Sequence, residues 1–357
     1  MTFTTTPSIN LPFSARRNPE SDKIEKSTRE WIRRFRLGHG DAGTQSLVRQ
    51  SRFGEAAAYG YPDAPLAEAE LAAYWFAWLF FVDDYHEEAG SPAEGPRGSA
   101  QEWTDLTEAV RATLESSPPI GPLAGTPLIS ALADLCHRFD ARASATWKRR
   151  FARHLMGVMT GGLRDIQLRA GGTPPTLADY IPARRDASAV LTCFDVIEIC
   201  AQAELPDQAY HSPAVQEIIL AGADLFSWIN DLHSVDKEIA CGIVSNLILV
   251  LQHERRLNRE QAFIAARKLI DNRVDDLLAA ERRLPELIDT GQLDAATQDA
   301  VYRYVAGIRD CIAGSNQWHA HGTGRYHRPP PSTMAEHDGR AGGAASRRAD
   351  VRGRPCG

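Results

Sequence analysis

An apolar helix that ends in clustered acids is the feature that most restricts what this chain can fold into. The segment from Leu71 to Val82 carries no charge, and its aromatic side chains include Trp75, Phe76, Trp78, Phe80 and Phe81. Carboxylates follow at once, at Asp83, Asp84, Glu87 and Glu88. Buried or half-buried carboxylates repel one another unless a cation lies between them. The pattern therefore predicts a hard divalent metal site above an apolar pocket. The alternative is a solvated helix end, although acids there oppose the helix macrodipole.

A second set of oxygen-bearing side chains lies far downstream. Asn230, Ser234 and Glu238 are four residues apart, twice, and this spacing places all three on one face of a helix. Amide, hydroxyl and carboxylate oxygens are hard ligands that suit magnesium better than zinc. Lys237 adds a positive charge beside them. Taken alone, this segment fits an exposed polar helix face as well as it fits a metal site.

Composition and charge exclude several functional classes. The 357 residues are 43% hydrophobic and carry a formal net charge of −6, whereas nucleic-acid-binding proteins usually present a basic surface. No stretch approaches the roughly 18 uncharged residues of a membrane span, and the first residues lack the pattern of a signal peptide. The six cysteines are scattered without Cys-x-x-Cys spacing, as is typical of a reducing compartment. We therefore expect a cytoplasmic protein with no nucleic-acid partner and no membrane span.

Helical periodicity recurs from about Ser21 to about Gly314, while alternating strand patterns are nearly absent. The predicted helices are Ser21 to Leu37, Pro65 to Tyr85, Leu128 to Met159 (one helix or two joined), a helix from Leu177, Val190 to Cys200, Pro213 to Ser234, a helix opened by a capping box at Asn258 and Gln261, and Leu293 to Ile312. This indicates an all-α protein with one domain over residues 21–328. Residues 1–20 are predicted to be a flexible segment, and residues 329–357, rich in Pro, Gly, Arg and Ser, a disordered tail.

With both acidic sets identified, the chain resembles the bacterial-type class I terpene synthases. That family carries an aspartate-rich motif, which Asp83-Asp84 matches together with Glu87 at the shorter spacing or Glu88 at the longer one. It also carries a downstream Asn-Asp-x-x-Ser-x-x-x-Glu motif, which residues 230–238 match in full. In the family both motifs lie on helices that face one cavity.

Two further elements strengthen the resemblance. The family places a diphosphate-sensing arginine in a Tyr-x-x-x-Arg-Arg setting, which Tyr180 and Arg184 match. It ends its catalytic domain with an Arg-Tyr pair after a tryptophan, as in Trp318 followed by Arg325-Tyr326. The four elements extend over roughly residues 64–326. One departure is Ser188, which stands where the family often has glycine four residues past the sensor arginine.

The resemblance implies a helical bundle of the class I terpenoid synthase type around a central apolar cavity. It implies a lyase that ionises a linear isoprenyl diphosphate, here expected to be farnesyl diphosphate, and cyclises the cation to a sesquiterpene. The implied cofactor is Mg²⁺, with three ions per active site. The implied metal ligands are Asp83, Asp84, Glu87, Glu88, Asn230, Ser234 and Glu238. The implied diphosphate-binding residues are Arg184, Lys237, Arg325 and Tyr326, and Asp83 joins Arg184, Arg325 and Tyr326 in the catalytic set.

Other side chains near the motifs are expected to support the site or to stay outside the metal shell. Asp231 is expected to support the site rather than bind metal, Arg185 to form an ion pair, and His86 and His233 to stay out of the metal shell. Aromatic faces attract a carbocation, and ordinary core packing is the alternative for each. The candidates for this role are Phe53, Tyr59, Phe76, Phe80, Phe81, Phe194, Trp228 and Trp318.

Three functional alternatives stay open at this point. A cyclase could act on geranyl or geranylgeranyl diphosphate instead, because the sequence does not fix the pocket volume. A chain-elongating prenyl transferase shares the helical fold, but it would carry aspartate-rich motifs at both metal sites. A non-catalytic helical binding protein is opposed by the intact ligands of both sets. A homodimer is the default expectation for assembly.

Overall fold

The computed structural model describes residues 9–38, 48–88, 100–115, 123–288 and 293–324. For residues 86–88 it describes the backbone only. Within these ranges the secondary structure is helical and contains no strand. The helices are α1 (Ser21–Arg34), α2 (Phe53–Gly60), α3 (Leu66–Glu88), α4 (Ala100–Leu114), α5 (Pro127–Asp140), α6 (Ala145–Gly171), α7 (Leu177–Ala187), α8 (Val190–Cys200), α9 (Asp207–Tyr210), α10 (Pro213–Ala240), α11 (Leu247–Arg255), α12 (Arg259–Arg282), α13 (Leu284–Ile288) and α14 (Ala295–Gln317). A π-helical turn, Trp318–Gly322, follows α14.

Polar caps set several of the helix boundaries. The capping box predicted at Asn258 and Gln261 is present at the start of α12. The stretch predicted as one helix or two, Leu128 to Met159, is two helices, because the Ser144 side chain accepts the amide hydrogens of Thr146 and Trp147 and starts α6 afresh. Helix α10 runs six residues beyond its predicted end and so carries the whole second oxygen set on one continuous helix.

The apolar helix α3 lies at the centre of the packing, against α1, α2, α5 and α8. Trp75 and Trp78 are fully buried, and their rings stack with centroids 5.2 Å apart. Trp75 also contacts the rings of Phe139 and Phe151, which belong to α5 and α6. Since each large apolar side chain contributes roughly 1.5–3 kcal/mol when buried, the tryptophans and phenylalanines of this cluster anchor α3 firmly.

Two glycines allow helices to approach more closely than a side chain would permit. A Cβ atom on Gly314 would lie 2.4 Å from the carbonyl oxygen of Tyr59, so α14 and α2 are in backbone contact there. A Cβ atom on Gly162 would lie 2.3 Å from the ring of Trp103, which fixes α4 against α6. Both contacts bring wall residues to a common interior space.

A buried ionic network joins α6 to α8. Arg150 is 2% exposed and donates from Nε to Asp195 Oδ1 at 3.2 Å, and it also contacts Glu198. His154 Nδ1 lies 2.7 Å from Asp195 Oδ2, and the guanidinium stands 3.9 Å above the ring of Tyr210. Burial raises the pKa of Glu198 to about 8, although the Arg150 charge opposes this shift.

Part of the predicted N-terminal segment lies against the helical body. Ile9 is buried, and Arg16 Nη2 lies 2.7 Å from carboxylate oxygens of both Asp63 and Asp310. The predicted tail, residues 329–357, and the pair Arg325-Tyr326 lie outside the described residues. Among the described helices, none combines the length and the apolar character that crossing a bilayer requires.

Candidate active site

A single cavity brings together most of the residues singled out from the sequence. It holds about 1410 Å³ of space with its open mouth included. Its apolar walls include Phe76, Leu79, Phe80, Trp103, Val158, Phe226 and Trp318. Its polar end includes Asp83, Arg184, Asn230, Ser234, Lys237 and Glu238. These residues come mainly from α3, α6, α7, α10 and α14. The cavity therefore has an apolar interior and a charged end.

The predicted oxygen set on α10 forms a connected line along one helix face. Asn230 Oδ1 accepts from Arg184 Nη2 at 2.9 Å. Ser234 Oγ lies 2.7 Å from Glu238 Oε1, and Asn246 Nδ2 donates to Glu238 Oε2 at 2.8 Å. Ser234 Oγ also lies 2.9 Å from the backbone carbonyl oxygen of Asn230, a second acceptor for its only hydroxyl hydrogen. Whichever oxygen accepts that hydrogen, a lone pair of Ser234 is available for a cation.

The predicted acids of α3 face this line across the mouth of the cavity. Lys237 Nζ lies 3.7 Å from Asp83 Oδ2 and 4.0 Å from Asp84 Oδ1. Asp83 lines the cavity, whereas Asp84 is not among the lining residues. Glu87 and Glu88 belong to the last turn of α3, but their side chains are outside the described residues. An ammonium group thus stands in the gap between the two oxygen sets.

Asp231 organises the site from behind. It is fully buried, and its Oδ1 accepts from both Nε and Nη2 of Arg184, at 2.9 and 2.6 Å. Its Oδ2 accepts from the Tyr180 hydroxyl and from the backbone amide of Leu247 at 2.7 Å. Burial, together with the Asp231 charge, holds the pKa of Tyr180 well above its usual range, so the hydroxyl remains a donor. Four donor groups from two helices, α7 and α11, therefore converge on one carboxylate of α10.

Arg185, the neighbour of the predicted sensor, points to a different place. Its Nε and Nη2 donate to the two oxygens of Asp224 at 2.6 and 2.7 Å. Arg273 Nε donates to the same carboxylate at 2.8 Å. This buried ion pair ties α7 and α12 to α10 and leaves Arg184 as the arginine of the pair that faces the cavity.

The donor set fits a hard divalent cation. Burial, and then the nearby Asp231 charge, raises the pKa of Glu238 to about 8, although Arg184, Ser234 and Asn246 oppose the shift. A carboxylate whose pKa is raised by burial and by a nearby negative charge is stabilised when a cation binds beside it. In the part of the chain that the structure describes, no three His, Cys, Asp or Glu side chains cluster as a metal site. Any ion held here would take amide and hydroxyl oxygens as well as carboxylates, a set that suits magnesium rather than zinc.

The break between α7 and α8 opens into the cavity wall. Ser188, where the family often has glycine, has an ordinary φ of −74°. The residue with left-handed backbone is Ala189, at φ 60°, and both residues line the cavity. A left-handed alanine costs roughly 1–2 kcal/mol, so this joint is held in place by the helices on either side of it.

The structure sorts the predicted aromatic residues. Phe76, Phe80 and Trp318 line the cavity, whereas Phe53, Tyr59, Phe81, Phe194 and Trp228 are not among its lining residues. Phe53 instead stacks behind Phe80, with ring centroids 5.1 Å apart. The sequence interpretation missed the lining residues Trp103, Phe226, Cys193, Cys311 and His319. Only His319 carried a signal, since it follows the tryptophan of a recognised motif.

Comparisons with known proteins agree on one family. Residues 74–276 match the model of terpene synthase family 2, C-terminal metal binding. The chain is 33% identical over 310 residues to a (+)-T-muurolol synthase ((2E,6E)-farnesyl diphosphate cyclizing) of Roseiflexus castenholzii, covering 86% of this chain and 90% of the relative. It is 30% identical over 323 residues to a pentalenene synthase of Streptomyces avermitilis, covering 89% of this chain and 92% of the relative.

A solved structure agrees with the sequence relatives. Wild-type cucumene synthase superposes with a TM-score of 0.75 at 25% identity, over 87% of this chain and 99% of the other. These findings confirm the family and the all-helical fold that the sequence predicted.

Proposed function

This chain belongs to terpene synthase family 2, and on that premise we propose that it ionises farnesyl diphosphate and cyclises the carbocation to a sesquiterpene. It is a class I terpene cyclase, and therefore a lyase that releases diphosphate. The observation that carries the proposal is the meeting of two oxygen sets across the mouth of one apolar cavity, where Lys237 lies 3.7 Å from Asp83. The named substrate of the Roseiflexus relative supports the fifteen-carbon chain.

The proposed metal is Mg²⁺, with three ions per active site. Bound there, magnesium would act as a Lewis acid on the diphosphate oxygens and stabilise the departing charge by several kcal/mol. On α3 the ions would be held by Asp83, with Asp84, Glu87 and Glu88 as the further proposed ligands. On α10 the proposed ligands are Asn230, Ser234 and Glu238.

Two basic side chains of the described site are placed to bind the diphosphate. Arg184 commits Nε and Nη2 to Asp231 and Asn230, so Nη1 is the guanidinium group that we assign to a phosphate oxygen. Lys237 would exchange its carboxylate neighbours for the diphosphate once ions neutralise Asp83. Arg325 and Tyr326 are proposed to bind the same group, and both lie outside the described residues.

The apolar walls would control the fate of the carbocation. Water that reached the cation early would quench it to an acyclic alcohol, so cyclisation requires that the cavity exclude water until the ring has closed. Phe76, Phe80 and Trp318 line that interior, and an aromatic face turned toward a cation attracts it by roughly 0.5–2 kcal/mol. The shape of this wall would fold the substrate and select which double bond attacks.

Product analysis tests the proposal. The purified protein is incubated with Mg²⁺ and, separately, with geranyl, farnesyl and geranylgeranyl diphosphate, without isopentenyl diphosphate. We expect cyclic fifteen-carbon products and released diphosphate from the farnesyl substrate. A preference for the ten- or twenty-carbon chain would correct the substrate. Turnover only with added isopentenyl diphosphate would identify a chain-elongating enzyme, and no turnover of any substrate would overturn the proposal.

Location and assembly remain proposals as well. The five cysteines of the described residues are free thiols, which supports a reducing compartment such as the cytoplasm. A homodimer is the assembly that we propose, and sedimentation analysis of the purified protein would test it.

A further inference from the structure

The Asn230 amide, a proposed metal ligand, is held from both sides by side chains of other helical segments. On one side, Arg184 Nη2 donates to Oδ1 at 2.9 Å. On the other side, Nδ2 lies 2.9 Å from Nε2 of His319. A guanidinium can only donate hydrogen bonds, so the oxygen of the amide must face Arg184. The amide nitrogen must therefore face His319.

This arrangement determines where the imidazole proton is. Because the amide nitrogen is only a donor, Nε2 of His319 must be the acceptor, and the ring proton is then on Nδ1. Nδ1 lies 2.7 Å from the carbonyl oxygen of Ser315, one turn earlier in α14, and donates to it. Both ring nitrogens therefore have suitable partners in the neutral Nδ1–H tautomer.

The imidazole is also fixed by its surroundings. His319 is 2% exposed and lies in the π-helical turn Trp318–Gly322, a feature that is frequent at functional sites. The indole of Trp318 meets it edge to face at 4.9 Å, and the ring of His233 stacks on it at 5.4 Å. Trp318 is itself anchored, because its Nε1 lies 3.1 Å from the carbonyl oxygen of Ser51.

We propose that His319 is a positioning residue, which holds the Asn230 amide with its oxygen toward the metal site. The inference rests on the proposed function. An amide that rotates by half a turn presents its NH₂ group, which has no lone pair for a cation. Arg184 and His319 together oppose that rotation, one through each end of the amide. The role belongs to the acceptor atom Nε2, and neither acid–base chemistry nor a change of charge at His319 is involved.

Two amide variants separate this role from simple packing. In His319→Gln the side-chain oxygen falls near the position of Nε2 and can still accept from Asn230. In His319→Asn the shorter amide falls near Nδ1, so it keeps the Ser315 contact and loses the one to Asn230. Mg²⁺ is titrated calorimetrically into each protein in the presence of saturating inorganic diphosphate, so the readout needs no turnover.

We expect His319→Asn to weaken the apparent Mg²⁺ affinity about five- to tenfold, the size of one neutral hydrogen bond. His319→Gln should stay within about twofold of the wild type. Equal affinities in the wild type and a folded His319→Asn protein would overturn the inference, as would equal losses in both variants. A wild type that binds no Mg²⁺ with diphosphate would overturn the proposed site itself, which distinguishes the two failures.

The wild-type protein alone offers a second test, which stays decisive where a variant fails to fold. The nitrogen chemical shifts of the His319 ring report which nitrogen carries the proton. A neutral ring with hydrogen on Nδ1 is the expected result. Hydrogen on Nε2, or on both nitrogens at neutral pH, would overturn the inference.

Discussion

The ammonium group of Lys237 lies 3.7 Å from the Asp83 carboxylate, so a residue of α10 reaches across the cavity mouth to an acid of α3. The pair is partly exposed, with 23% and 49% of the two side chains accessible. Such pairs contribute up to about 1 kcal/mol, which is weak enough for a competing divalent cation to displace the lysine. Lys237 therefore competes with a metal ion for Asp83, whereas its positive charge favours binding of the diphosphate.

Replacement of Lys237 by Gln should separate those effects. Without diphosphate, the variant should bind Mg²⁺ severalfold more tightly, because a competing cation beside Asp83 is gone. Turnover of farnesyl diphosphate should nevertheless fall at least about tenfold, since a charge-assisted contact to the leaving group is lost. Calorimetry with Mg²⁺ alone and steady-state kinetics measure the two quantities. Weaker binding of Mg²⁺ alone in the variant would contradict this account.

Replacement of Asp83 by Ala should reduce activity far more than stability. Loss of a metal ligand should lower kcat/KM about 100-fold or more, while relief of acid crowding should keep the melting temperature near the wild-type value. Asn230→Ala should behave similarly. Asp140→Ala is the matched control, because Asp140 is an exposed acid at the end of α5 that pairs with Lys148 at 2.9 Å, and it should keep full activity. Full activity in either ligand variant would refute the metal assignment at that position.

Glu238 should release a proton when the metal binds. Its pKa is raised to about 8 by burial and by Asp231, so in the metal-free protein at pH 7 it holds a proton that a cation must displace. The affinity for Mg²⁺ with diphosphate should therefore rise between pH 6 and pH 8. Titrations at pH 7 in two buffers of different ionisation enthalpy give the number of protons, after subtraction of the protein-free signal. Glu238→Gln should release fewer, and no release by the wild type would be the opposing result.

Gly60 should control product shape from the cavity wall. A Cβ atom there would make ordinary contacts, at 3.7 Å from the Phe76 ring and 3.9 Å from Cys311 Sγ, and would extend into the cavity that Gly60 lines. Gly60→Ala should fold normally and change the ratio of products in gas chromatography. Gly314→Ala is the control, because its Cβ would lie 2.4 Å from the Tyr59 carbonyl oxygen, and it should cost about 1–3 kcal/mol of stability. An unchanged product profile in Gly60→Ala would exclude this role.

The buried network of Arg150 should matter for folding and not for catalysis. Arg150→Met leaves Asp195 and Glu198 buried without their cation, at a cost of about 3–5 kcal/mol. Because the pKa of Glu198 is raised from 4.5 to about 8, the folded state holds the extra proton, and stability falls as pH rises through that interval. The variant should steepen this fall. Urea unfolding of both proteins at pH 5 and pH 8 measures the free energy of unfolding. If Arg150→Met lost the same free energy at both pH values, the raised pKa of Glu198 would not be the cause.

The sequence predicted those parts of the site that are local to one helix. The spacing of Asn230, Ser234 and Glu238 already placed three side chains on one face, and α10 now carries all three into the cavity. The apolar run before Asp83 predicted an apolar pocket beneath the acids, and α3 supplies Phe76, Leu79 and Phe80 to the cavity wall. The metal and diphosphate roles of these residues stay predictions until they are tested by substitution.

What the sequence could not predict depends on contacts between distant segments. Trp103 reaches the cavity only because Gly162 lets α4 approach α6. Asn246 reaches Glu238 from the loop before α11, and no periodicity marks that contact. The neighbour of Asn230 is His319, 89 residues away. Phe80 lines the cavity and Phe81, the next residue of the same helix, does not, because packing decides which face of a helix is turned toward the cavity.

The position of Asp231 has a practical consequence for redesign of this enzyme. Libraries that aim at new hydrocarbons would ordinarily spare only the residues that touch the substrate. Asp231 is fully buried, yet it anchors Arg184, Tyr180 and the first amide of α11. A library that randomises this codon would therefore contain many inactive variants, although the residues that line the cavity are unchanged in them. Diversity is better directed to Leu79, Val158 and Phe226, which shape the chamber and make no such connections.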